Sequence, residues 1–148
     1  MYHYIECGLE NVWLVNGYTI KEIEGYGEVV SFDDLCGLHK SIGTSLTKKN
    51  YLSGDEFRFL RKECELSQAK LAHSLGVKEQ TVSLWERGMG IPKYAIKAIK
   101  GLYLEHVNEN PTFESIYNAP EIEVDVETED GKLQFEERDG AWTLPIAA

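Results

Sequence analysis

One stretch constrains the fold of this chain more than any other: residues 66–88, LSQAKLAHSLGVKEQTVSLWERG. Ser67 supplies a side-chain oxygen where a helix start needs one, and Leu71, Ala72 and Leu75 follow at helical spacing. Gly76 then breaks the pattern, where a positive φ costs glycine least. A second short helix is predicted from about Lys78 to Arg87, ended by Gly88. Ala72 is small enough for the two helices to cross closely, and Val77, Val82 and Trp85 are spaced to pack the second helix onto a core. Lys78, Glu79, Gln80, Thr81, Ser83 and Leu84 are left for its other faces.

The neighbouring sequence supplies that core. Ser53-Gly54-Asp55-Glu56 reads as a capping box, after which Phe57, Leu60 and Cys64 share a face. Ile91-Pro92 opens a further helix, with Pro92 at its first position and Ile96, Ile99 and Tyr103 on one side. Upstream, Val12–Val15 and Gly27–Phe32 read as strands, with Asn16-Gly17 as a hairpin turn. Ser31 or Asp33 is placed to cap a helix carrying Leu35, Leu38, Ile42 and Leu46. Downstream, Ile122, Val124 and Val126 alternate with acids, and Asp130-Gly131 and Asp139-Gly140 punctuate Leu133, Phe135, Trp142 and Leu144. That pattern predicts a β-hairpin or meander, against a disordered acidic tail. The expected class is α+β, in three pieces: 1–51, 52–107 and 108–148.

Charge separates the same pieces. The 148 residues hold 25 acidic and 15 basic side chains, a formal net charge of −10. Residues 1–51 carry 4 basic and 7 acidic side chains, residues 52–107 carry 9 and 7, and residues 108–148 carry 2 and 11. Only the middle piece can approach a phosphate backbone without repulsion. No apolar run reaches the roughly 20 residues of a membrane span. The N-terminus has neither the basic nor the apolar region of a signal peptide. Cys7, Cys36 and Cys64 cannot all pair within one chain, so a reduced, cytoplasmic protein is expected.

Two short helices crossing at a glycine are what a helix-turn-helix needs, the first against the backbone and the second in the major groove. Leu66, Ser67, Gln68, Leu71, Ala72, Leu75, Gly76, Val77, Val82, Ser83, Trp85, Glu86 and Gly88 match the pattern L-S-Q-x-x-L-A-x-x-L-G-V-x-x-x-x-V-S-x-W-E-x-G. The run thus resembles the helix-turn-helix of the Xre/Cro repressor family. The resemblance implies a five-helix domain that binds palindromic operators as a homodimer. It places Gln68 and Lys93 on phosphates and Gln80 at a base-reading position, with Lys78, Thr81 and Ser83 beside it. Leu84 departs from the polar residue many relatives carry there; it can touch a thymine methyl but cannot donate a hydrogen bond. The resemblance also implies an ion pair between Arg61 and Glu86.

The order of the pieces is similar to that of MqsA-type antitoxins, which place a small zinc domain before an Xre-like domain. Tyr4-Ile5-Glu6-Cys7-Gly8 looks like the C-x-x-C-G start of such a zinc unit with its first cysteine lost, and Cys36-Gly37-Leu38-His39 has C-x-x-H spacing. His3, Cys7, Cys36 and His39 would suit tetrahedral zinc by ligand type. The spacing is unusual, however, and Cys36 and His39 fall on a predicted helix. The expectation is no metal, with Cys7 and Cys36 as small buried residues.

No enzyme motif emerges. His3, His39, His73 and His106 have no adjacent nucleophile, and there is neither a phosphate-binding glycine loop nor an H-E-x-x-H. The reading is a repressor that serves as the antitoxin of a type II pair, with a small basic toxin as its protein partner. The alternative is a stand-alone Xre-type regulator.

Overall fold

The computed structural model describes residues 1–107, 126–128 and 131–145. In chain order the elements are β1 (Tyr2–His3), β2 (Val12–Leu14), β3 (Tyr18–Ile23), β4 (Gly27–Phe32), α1 (Leu35–Thr47), α2 (Gly54–Glu63), α3 (Gln68–Leu75), α4 (Glu79–Glu86), α5 (Lys93–His106), β5 (Leu133–Arg138) and β6 (Ala141–Thr143). They fall into two units: residues 1–42 with 126–148, and residues 43–125. The class is α+β, with five helices among the described residues, of which α2 to α5 lie within 52–107.

The first unit is built on a four-stranded sheet of order β1-β2-β5-β6. β2 runs antiparallel to β1 but parallel to β5, with Val12 opposite Leu133 and Leu14 opposite Phe135. Strands from the two ends of the chain thus share one sheet. Period-2 alternation directs Val12, Leu14, Leu133 and Phe135 inward, where all four are fully buried with Leu38 and Ile42 of α1. Trp142 closes this core, its indole N–H donating to the carbonyls of Asp33 at 2.9 Å and Asp34 at 3.1 Å.

Two local readings are corrected. Asn16-Gly17 does not turn β2 back on β3, because β3 pairs with β4 in a separate two-stranded ribbon. The Asn16 side chain instead grips the β5 backbone, donating to the Glu137 carbonyl at 3.0 Å and accepting its N–H at 2.6 Å. Gly17, at φ +77°, is needed for space too: a Cβ there would lie 2.4 Å from the Trp142 ring. The cap of α1 is neither Ser31 nor Asp33 but Asp34, whose Oδ1 accepts the Gly37 N–H at 3.1 Å.

The hairpin in the C-terminal piece is β5–β6, turning at Asp139-Gly140, both at positive φ. The expected strand at Ile122 and Val124, and Asp130 of the earlier turn signal, lie outside the described residues. Leu133–Thr143 is therefore ordered sheet rather than a solvated tail. Deleting residues 126–148 would remove an inner strand together with Leu133, Phe135 and Trp142. The strand signature of the first unit in circular dichroism is expected to collapse; an unchanged spectrum would contradict this sheet order.

In the second unit the capping box at α2 is complete. Ser53 Oγ accepts the Glu56 N–H at 3.2 Å, and Glu56 Oε1 accepts the Ser53 N–H at 2.8 Å. α3 ends in a Schellman motif: Gly76, at φ +70°, donates to His73 O, and Val77 N–H donates to Ala72 O. Pro92 takes the cap position of α5 rather than its first helical position. Phe57, Leu60, Leu71, Val82, Ile99 and Tyr103 are fully buried in one core, and Trp85 meets Phe57 edge to face at 5.9 Å.

Candidate nucleic-acid interface

The helix pair α3–α4 is held by a buried polar cluster at the end of α4. Arg61 of α2 donates to Glu86 through Nε at 2.7 Å and Nη2 at 3.0 Å, and its Nη1 donates to the Leu66 carbonyl at 2.9 Å. One guanidinium thus joins α2, the α2–α3 link and α4, using the planar fork that suits a carboxylate. Glu86 Oε1 also accepts from Gln68 Nε2 at 3.1 Å and from Arg58 Nε at 3.3 Å. The Glu86 side chain is wholly buried and that of Arg61 is 9% exposed.

Burial alone would raise the Glu86 pKa, but the hydrogen bonds from Arg61, Gln68 and Arg58 and the charge of Arg61 outweigh it and hold the carboxyl below its usual range. A carboxylate with a depressed folded-state pKa stabilises the fold above its unfolded value, about 4.3, and loses that contribution as pH falls through the folded value. The urea midpoint of the chain is therefore expected to fall below about pH 4.3, less steeply in Glu86→Gln. An equal acid slope in both proteins would contradict this assignment.

With α4 fixed by Val82, Trp85 and Glu86 on its inner side, its remaining residues face outward. Gln80 and Leu84 are exposed, Leu84 by 41%, while Thr81 and Ser83 are half-buried. Lys78 is the cap residue of α4 and has no side-chain cap bond; the Thr81 N–H turns back onto the Lys78 carbonyl at 2.9 Å, and no side chain of the cap satisfies the amides of Glu79 and Gln80. Lys93 is the exposed first residue of α5. Gln68 is half-buried at the first position of α3, with one amide N–H committed to Glu86.

Arg87 was missed as a candidate because it reads as a helix end. It lies seven residues after Gln80 and three after Leu84, on the same face, and is exposed. That spacing was available in the sequence. Arg58, 44% exposed, also reaches Glu86. Its link to α4 depends on a contact 28 residues away that no local pattern reveals.

The four candidate zinc ligands do not come together. His3 stacks on Trp13 at 4.2 Å, and its Nε2 meets the Glu10 carbonyl. His39 Nε2 shares a 2.8 Å hydrogen bond with the Tyr4 hydroxyl, and Cys7 Sγ donates to the Tyr4 carbonyl at 3.6 Å. Cys36 is exposed rather than buried, and Cys7 is half-buried. Among the described residues no group of three or more His, Cys, Asp or Glu side chains is placed to hold a metal ion.

All three cysteines are free thiols. Burial, and then the charge of Glu63, push the Cys64 thiol up to about 11. Native protein is therefore expected to react with iodoacetamide at Cys36 and to spare Cys64. Equal labelling of both, read by mass spectrometry, would contradict the packing of α2.

Residues 57–96, which contain α3, α4 and the Arg61–Glu86 pair, match the model of a helix-turn-helix family, HTH_3. No curated protein and no solved structure matches the chain. No helix among the described residues is long and apolar enough to cross a membrane.

Proposed function

From the Xre/Cro-type helix-turn-helix domain at residues 57–96, we propose that this chain is a sequence-specific transcriptional repressor that binds double-stranded operator DNA as a homodimer. The observation that carries the reading is the helix-turn-helix match over a reading helix whose inner side is clamped and whose outer side offers polar side chains. In this reading 52–107 is the DNA-binding piece and α4 enters the major groove. Gln80 bonds an adenine edge through its amide, and Leu84 packs on a thymine methyl. Lys78, Thr81 and Ser83 flank these contacts, while Gln68 and Lys93 hold phosphates. One such helix covers few base pairs, so two copies read half-sites about one helical turn apart, roughly 10 base pairs.

The test is the salt dependence of binding to the DNA upstream of the gene. Lys93→Ala is expected to weaken all sequences alike and to flatten the log–log salt slope by about one unit. An unchanged slope would remove Lys93 from the interface. A monomer in sedimentation that binds a single half-site at full affinity would overturn the dimer.

A second reading adds an antitoxin role in the cytoplasm. Two features favour it: the acidic excess of residues 1–51 and 108–148, which suits a small basic toxin, and the similarity of layout to MqsA-type antitoxins. The alternative is a stand-alone regulator. Co-purification from the native operon separates the two, since only the antitoxin brings down a basic protein in fixed ratio.

A further inference from the structure

The ribbon β3–β4 is an unfinished sheet. At its base Tyr18 and Phe32, opposite each other, pack on Tyr2 at 5.3 and 5.6 Å, and Phe32 stacks on Tyr4 at 5.0 Å. Beyond that anchor the ribbon is open: residues 19–29 are all exposed, with Ile20 at 50%, Ile23 at 45%, Tyr26 at 83% and Val29 at 39%. Neither outer edge pairs with another described strand. Two strands alone are marginal in water, and an unpaired edge is a template for a further strand. Proline would guard such an edge, and residues 18–32 contain none.

Its charges specify what fits. Glu22 stands directly opposite Glu28 on one face, an arrangement that like-charge repulsion disfavours. Among the described residues, the side chains of Glu22, Glu24 and Glu28 make no hydrogen bond or ion pair, and Lys21 is the lone cation of the ribbon. DNA is repelled by this charge. A second copy would set acidic ribbon against acidic ribbon. The segment 108–125 of this chain carries five acids and no lysine or arginine, so it is equally unsuited.

We infer that β3–β4 is a docking edge for an extended cationic segment of another protein, which adds as a third strand at one open edge and places lysine or arginine on the face that carries Glu22 and Glu28. Its backbone pairs with that edge, and its alternate apolar side chains fall on the opposite face, which carries Ile23 and Val29. The inference deepens the antitoxin reading and rests on it for the source of the partner.

The test titrates full-length, isotope-labelled protein with a peptide of about eight residues alternating lysine and valine, an ordinary strand length. Amide shifts confined to residues 18–32 are expected, with no response to a matching glutamate–valine peptide. Glu22→Gln with Glu28→Gln, a conservative pair at exposed positions, should raise the dissociation constant roughly three- to tenfold and leave the melting temperature undiminished. Absence of binding, shifts centred on residues 126–145, equal binding of the acidic peptide or indifference to the double variant would each overturn the proposal. So would a change in sedimentation of the double variant, which would make a second copy the occupant. DNA binding by the same samples reports separately on α4. Peptide docking without a basic protein co-purifying from the operon would count against the antitoxin role alone.

Discussion

Glu86→Gln is expected to destabilise the helical unit by roughly 3–5 kcal/mol, because it strands the charge of Arg61 in a buried site. The carboxylate accepts from three side chains, Arg61, Gln68 and Arg58, and its own side chain has no access to water. A neutral amide keeps the shape but turns an N–H toward the guanidinium and removes the counter-charge. The loss should appear as a lower urea midpoint at pH 7 and weaker DNA binding, even though Glu86 itself would be repelled by phosphate. Replacing both partners by a matched apolar pair, Arg61→Met with Glu86→Leu, should recover much of the stability. An unchanged midpoint in Glu86→Gln would mean that the pair does not fix α4.

Gly54→Val is the second large effect, expected to cost about 1–3 kcal/mol, the usual scale of overpacking. A Cβ at Gly54 would lie 2.4 Å from the Glu86 carbonyl oxygen and 2.8 Å from that of Trp85. Those neighbours are backbone, so α4 itself must move. The same displacement tilts α4, and on the proposed function DNA affinity should fall with stability. Gly76 makes a useful contrast: a Cβ there meets nothing within 4 Å, so its substitution acts through the left-handed φ of +70°. If Gly54→Val melts like the wild type, the close approach of α2 to α4 is wrong.

Both effects concern one junction, and the sequence exposes only part of it. The capping box at Ser53–Glu56, the Gly76 turn and the apolar spacing of α3, α4 and α5 are local signals, and each appears in the fold where its residues indicate. What the sequence hides is distant pairing. The parallel β2–β5 pair joins residues about 120 apart, so no turn signal can announce it. Asn16-Gly17 misleads for the same reason: an Asx side chain and a glycine favour a tight hairpin, but here they meet β5 and Trp142 from the other end of the chain. Cys36 was expected in a core because cysteine is usually buried. It follows Leu35 at the start of α1, on the side away from Leu38 and Ile42, and stays in solvent. At the candidate interface, the exposure of Gln80, Leu84 and Lys78 follows from helix spacing, whereas the commitment of Gln68 to Glu86 required the three-dimensional fold.

The central claim is that α4 reads base edges, and selection of binding sites from a randomised duplex pool tests it most directly. The wild-type chain is expected to enrich a two-fold symmetric site with half-sites about 10 base pairs apart. Gln80→Ala should enrich the same site with discrimination relaxed at one base pair in each half, by roughly 1–3 kcal/mol, the worth of a bidentate glutamine–adenine pair. Identical sites and identical discrimination from both proteins, or no enrichment from the wild type, would contradict the account.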